Sequence, residues 1–128
     1  MKALIHVSPR RCTDCAITSM ATITGITYEK ALKLILPNRK KYTDYSATIE
    51  NILDCFVKLK INVSQVNNPV IKDLKNHSIL IIKIPYKGNY DYHAVVWDAK
   101  RKVILDGWKK PRSYYRYQKK VLYCFKLV

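Results

Sequence analysis

The apolar residues of this chain keep a helical period up to about Lys60 and a strand-like period after it. One change of period in 128 residues leaves few architectures open. Helices in one half and strands in the other do not fit the alternating pattern of a parallel βαβ sheet. They point to an α+β fold, with N-terminal helices packed on a C-terminal antiparallel sheet. The length suits one domain over residues 1–128. Hydrophobic residues make up 48% and charged residues 26%, which supplies a core without disulfide or metal staples.

Residues 1–13 read as a short strand and a loop. From Asp14 to Thr24 the pattern is helical and rich in Ala, Ile and Met, and Gly25 ends it. Thr27 caps a second helix, Tyr28–Leu36, which stops before Pro37. A basic, aromatic loop fills 38–45. Ser46 then opens a third helix to about Lys60, with Ile49, Ile52, Leu53, Phe56 and Leu59 on one face. Ile61–Val66 alternates as a strand, and Val70–Asn76 fits a short helix. The β-branched run Ser78–Ile84 reads as a buried strand. Tyr92–Asp98 and Lys102–Asp106 form a hairpin, and Val121–Leu127 is the last strand.

Two of these elements place chemistry together. Cys15 stands where the first helix begins, among unpaired N–H groups and positive dipole potential. Both favour the thiolate, the nucleophilic form, and the same N–H groups suit a developing oxyanion; the Asp14 carboxylate partly opposes them. In the hairpin, pairing of Asp98 with Arg101 across a tight turn sets His93 directly opposite Asp106, side chains on one face. A carboxylate beside an imidazole orients the ring and stabilises its protonated form. Taken one at a time, the residues also read as a buried structural thiol, a half-buried sheet histidine and an ordinary Asp-Gly turn.

The segment TDCAITSMATITGITYEKALKLI resembles the N-terminal region of papain-like cysteine peptidases of the bacteriocin-processing (double-glycine leader peptidase) type. The shared features are Asp14 before Cys15 at a helix start, and the helix opening Tyr28-Glu29-Lys30-Ala31. YHAVVWDAKRKVILDGW resembles the same family's His strand and Asp strand. The resemblance spans nearly the whole chain. It implies a papain-like fold and a peptide or protein substrate, with Cys15 as nucleophile, His93 as general base and Asp106 as the residue that orients the base. It implies neither a metal nor a cofactor. The family usually carries a Gln at the oxyanion hole six residues before the Cys, where this chain has Pro9. That leaves Ser8 and Asp14 as polar candidates beside the oxyanion. Ala16 and Gly107 also depart from the family's usual Gly and Pro.

Other readings stay open at this level. Cys12-Thr13-Asp14-Cys15 is a C-x-x-C motif before a helix, as in thiol–disulfide oxidoreductases. The same two cysteines lack a second pair at zinc spacing, while Cys55 and Cys124 lie in apolar surroundings as core thiols. His6 and His77 read as ordinary strand or loop residues. The 24 Lys and Arg against 9 Asp and Glu give a net charge of +15, which favours an acidic partner, nucleic acid or another anionic surface. Cations interleave with aromatics at Arg39, Lys40 and Lys41, and again at Lys109, Lys110, Arg112, Tyr114, Tyr115 and Arg116. Such clusters suit phosphates and stacked bases; they also occur as the basic protection of an edge strand. An inactive papain-like scaffold serving as a basic binding module is therefore the alternative to a hydrolase. No apolar stretch is long enough for a secretory h-region or a membrane span, so the expected location is cytoplasmic.

Overall fold

The computed structural model describes residues 1–11, 13–38 and 45–128. Three helices precede five strands: α1 (Cys15–Thr24), α2 (Tyr28–Ile35), α3 (Ile49–Lys58), β1 (Val63–Asn67), β2 (Ser78–Tyr86), β3 (Asn89–Asp98), β4 (Val103–Leu105) and β5 (Val121–Leu127). The strands form one antiparallel sheet in the order β1-β5-β2-β3-β4. The α+β expectation, helices on an antiparallel sheet, holds.

α1 is the central helix. Ile17, Met20 and Ala21 are fully buried in it, and its Ser and Thr positions are small enough to let the sheet approach closely. Ser19 Oγ donates to the Ala94 carbonyl on β3, which ties the helix to the sheet. Gly25, at φ +78, closes α1 in the left-handed region, and its N–H reaches the Ala21 carbonyl. Thr27 caps α2 as expected, its hydroxyl accepting from Lys30 N at 3.1 Å.

α3 begins later than the sequence suggested. Thr48 caps it, not Ser46, because Thr48 and Asn51 satisfy each other's backbone N–H groups in a capping box. The region 70–76 holds only a 3₁₀ turn at Ile71–Asp73, and the first strand starts at Val63, opposite Leu127.

The sheet is covered on both faces, which explains the unbroken apolar run of β2. Ile79 and Ile81 pack with the helices. Leu80 and Ile82 pack with Val95, Trp97, Ile104 and Tyr117 on the other side. The chain reaches that second face through Ile71 and the 3₁₀ turn Tyr114–Arg116. Cys55 and Cys124 are fully buried, one in each cluster, and burial pushes both thiols up, as expected of core thiols.

Two hairpins position the site. β2 and β3 join through Lys87 and Gly88, both at positive φ, a two-residue turn that suits strand twist. The turn between β3 and β4 differs from expectation. Asp98 pairs with Val103 instead of Arg101, so four residues, 99–102, make the connection. Asp98 causes this. Its Oδ1 accepts from Lys100 N and Arg101 N, its carbonyl accepts from Lys102 N, and Lys102 adopts φ +58.

Residues 1–11 form no strand. Their backbone is held by distant groups instead: Leu4 N donates to Asp98 Oδ2, Val7 N to Thr22 Oγ1, and His77 Nε2 bonds the Lys2 carbonyl. His77 is thus a buried anchor, and its Nδ1 accepts from Ala99 N. Among the described residues no helix is long and apolar enough to cross a membrane.

Candidate active site

Cys15 is the first residue of α1 and is half-buried. The loop before it is shaped by Asp14, which is fully buried. One carboxylate oxygen, Oδ2, accepts from Arg10 N, Arg11 N and the Tyr28 hydroxyl, the last at 2.6 Å. Burial and this carboxylate push the Tyr28 phenol far up, so it stays a donor. Arg10 stacks over the Tyr28 ring and pairs with Glu29. The helix start is thereby fastened to α2. The other Asp14 oxygen, Oδ1, is buried with no hydrogen-bond partner among the described residues, so Asp14 organises the loop before Cys15 through Oδ2 alone. Ser8 is exposed and lies outside the cavity around Cys15.

His93 lies on β3 and Asp106 directly after β4. With the observed register they are not directly opposite; they are offset by two residues. An offset of two keeps both side chains on one face, whereas an offset of one would have separated them. His93 Nε2 meets Asp106 Oδ1 at 2.7 Å. The second Asp106 oxygen accepts from the Tyr117 hydroxyl at 2.7 Å and from Lys109 Nζ at 3.4 Å. All contacts to this buried carboxylate come from donors, so it is fixed as an anion.

The electrostatics follow from those contacts. Burial resists ionisation of Asp106, but the hydrogen bonds from His93 and Tyr117 outweigh it and hold the carboxyl well below the usual carboxylate range. Burial also disfavours charge on His93, yet hydrogen bonds to Asp106 and Cys15, with their charges, push its pKa up to about 9. Burial and the Asp106 bond push Tyr117 up to about 12. His93 Nε2 is committed to Asp106, which leaves Nδ1 for Cys15.

Cys15, His93 and Asp106 line one cavity of about 240 Å³, with Pro9, Gly107 and Trp108 at its wall. Pro9 is buried there; its ring comes within 3.8 Å of where a Cβ on Gly107 would stand. Neither a Gln side chain nor a backbone N–H is available at that position. The first N–H groups of α1, which have no partner within the helix, lie beside Cys15, and Arg11, Thr18, Trp108 and Lys109 also line the cavity.

The basic and aromatic segment divides into parts. Trp108 and Tyr115 are exposed, at 70% and 81%. Tyr114 is not free to stack on a base, because its ring packs edge-on against Trp97. Lys109 turns to Asp106. Arg112 is held by backbone bonds in both directions with Ile104. Lys110 and Arg116 are exposed. The segment therefore touches the edge strand β4 through a single bridge at Arg112 and then packs Tyr114 and Tyr117 on the second face of the sheet. Arg39, Lys40 and Lys41, like Cys12 of the C-x-x-C motif, fall outside the described residues.

Sequence reasoning missed two site residues, Tyr117 and Lys109 as partners of Asp106. Lys109 was noted only as a surface cation, and Tyr117 carried no signal, since its approach depends on the path of residues 107–120.

A helix start presenting a cysteine to a histidine on a sheet, with the helices packed on an antiparallel sheet, defines the papain-like fold. The peptidase domain of Streptococcus ComA, described as a bifunctional ABC transporter involved in a quorum-sensing pathway, has a similar structure. Its TM-score is 0.62 at 16% identity, covering 100% of this chain and 98% of that one. No protein-family model and no curated protein matches the chain. The fold also separates the chain from the thioredoxin-like fold: a helix follows α1, and among the described residues the sheet contains only antiparallel pairs.

Proposed function

We propose that the protein is a cysteine hydrolase acting on amide bonds, most simply a peptidase. The observation that carries this reading is the 2.7 Å contact of His93 with Asp106 in the cavity that also holds Cys15 at the start of α1. The ComA peptidase domain, similar in fold, supports peptides as the substrate class.

In this reading Cys15 Sγ attacks the carbonyl carbon as the thiolate. The carbonyl electrons move to oxygen, beside the free N–H groups at the head of α1. The C–N bond then breaks, and the leaving amine takes the proton from His93. A water, deprotonated by the now neutral His93, hydrolyses the thioester and returns the site to its starting state. A ring with a pKa of about 9 carries its proton at neutral pH. His93 thus acts first as the acid for the leaving group and only later as the base. Asp106 holds the ring and its charge.

A second reading is favoured by one observation, Pro9 in place of an oxyanion donor. There the fold serves as a basic binding module without turnover. Losing one such donor costs about 2.7–4 kcal/mol in the transition state, which slows an enzyme without abolishing the nucleophile. Alkylation with iodoacetamide at neutral pH, with mapping of the modified cysteine, separates the two. Selective modification of Cys15 that is lost in His93→Ala is expected of the hydrolase. Slow, equal labelling of all the cysteines would refute it.

A further inference from the structure

A second cavity, of about 570 Å³, lies behind His93 and Asp106 on the sheet face away from the helices. Four cations line it: Lys109, Arg112, Arg116 and Lys120. They come from three places in the fold: the loop after β4, the 3₁₀ turn, and the residue before β5. The backbone of Arg112 is pinned to Ile104 by bonds of 2.7 and 2.9 Å. Lys120 is fixed through its carbonyl, which accepts from Lys83 N. The one carboxylate in the lining is Asp106, already engaged by His93, Tyr117 and Lys109. Among the described residues, Arg112, Arg116 and Lys120 pair with no carboxylate. Ile82 and Ile84 form an apolar wall on one side of it.

The cavity touches His93 and not Cys15. His93 is the group that protonates the leaving amine, so the segment after the scissile bond runs over His93. The geometry points to this cavity as a subsite for an acidic side chain, Asp or Glu, in the leaving segment of the peptide substrate. The inference rests on the peptidase reading for the identity of the ligand as a peptide and for the side of the scissile bond that lies here. The volume accommodates a whole carboxylate side chain with its stem. The cations recognise it by charge, and the guanidinium fork of Arg112, on a backbone pinned to Ile104, suits a two-point contact with a carboxylate. Tyr117, also in the lining, donates to Asp106, so an anion here sits one residue away from the Asp106–His93 pair.

The test is binding without turnover. Dansyl-labelled hexapeptide pools, random except for one fixed Glu or one fixed Gln, are titrated into Cys15→Ala protein and followed by anisotropy. The Glu pool is expected to bind about five- to tenfold more tightly, as two or three partly exposed ion pairs supply. Arg116→Glu with Lys120→Glu abolishes that preference. Lys33→Glu with Lys60→Glu changes the net charge equally on the helix side and preserves it. Equal binding of the two pools, no binding of either, or equal loss of preference in both double variants would overturn the subsite. Failure of the peptidase reading shows elsewhere, as unselective cysteine alkylation with this binding preference intact.

Discussion

Replacing Asp106 with Asn isolates the role of one charge in the site. The carboxylate offers acceptors on both sides, and donors meet both: His93 on Oδ1, Tyr117 and Lys109 on Oδ2. An amide of the same shape must turn its NH₂ toward one of these donors. A charge-assisted hydrogen bond is worth roughly 1.5–3 kcal/mol, and one pKa unit corresponds to about 1.4 kcal/mol. His93, raised from 6.5 to about 9 in the wild type, should therefore fall by about one to two units. Amide hydrolysis needs the protonated ring, so activity in the wild type should decline as pH rises through about 9. In Asp106→Asn that alkaline limb should move down toward neutrality, and the maximum rate should fall on the order of 100-fold or more. NMR titration of the His93 ring proton reads the pKa without requiring a substrate. An unchanged His93 titration in Asp106→Asn would refute the view that the carboxylate sustains the charge on the ring.

The same pair predicts how stability depends on pH. His93 is raised, so its contribution is complete below 6.5 and is lost as pH rises through about 9. Asp106 is depressed, so its contribution is complete above its ordinary 3.8 and is lost only in stronger acid. Denaturant titrations should therefore place the maximum from this pair between these ordinary values, and a monotonic rise to pH 10 would contradict it. Tyr117→Phe removes one of the donors to Asp106; it should cost about 1 kcal/mol and, because Asp106 stays ionised with its charge less shared, leave the His93 pKa at or above its wild-type value, in contrast to Asp106→Asn, both read in parallel titrations. Tyr28→Phe deprives the buried Asp14 of its shortest bond, so unfolding free energy should drop by about 1–3 kcal/mol, with α1 still anchored by the Arg10 and Arg11 amides.

Much of the layout was legible because it is local. Helical spacing marked α1 to α3, and Gly25 and Thr27 carried their own capping chemistry. The antiparallel hairpin and the shared face of His93 and Asp106 followed from the two-residue period of strands, which survives an even shift in register. The shift itself was not legible, since Asp98 looked like the start of a two-residue turn. Its side chain caps the amides of Lys100 and Arg101 and lengthens the loop, a choice reinforced by bonds from Leu4 and Arg101. The start of α3 was misplaced for a similar reason: Ser46 and Thr48 are both eligible caps, and only the reciprocal bonds with Asn51 distinguish them.

The sequence by itself determined the helix-then-strand order, the cysteine at a helix start, and a histidine and a carboxylate on one face of a hairpin. These are properties of neighbours in the chain, governed by backbone period and capping. Tertiary structure decided the order of the strands, with β5 inserted between β1 and β2. It decided the inward turn of Tyr117 and Lys109 onto Asp106, and the gathering of four separated cations into one cavity. Those depend on how residues 107–120 cross the second face of the sheet. That path is set by packing against Trp97, Ile104 and Leu80, and by no pattern within the segment itself.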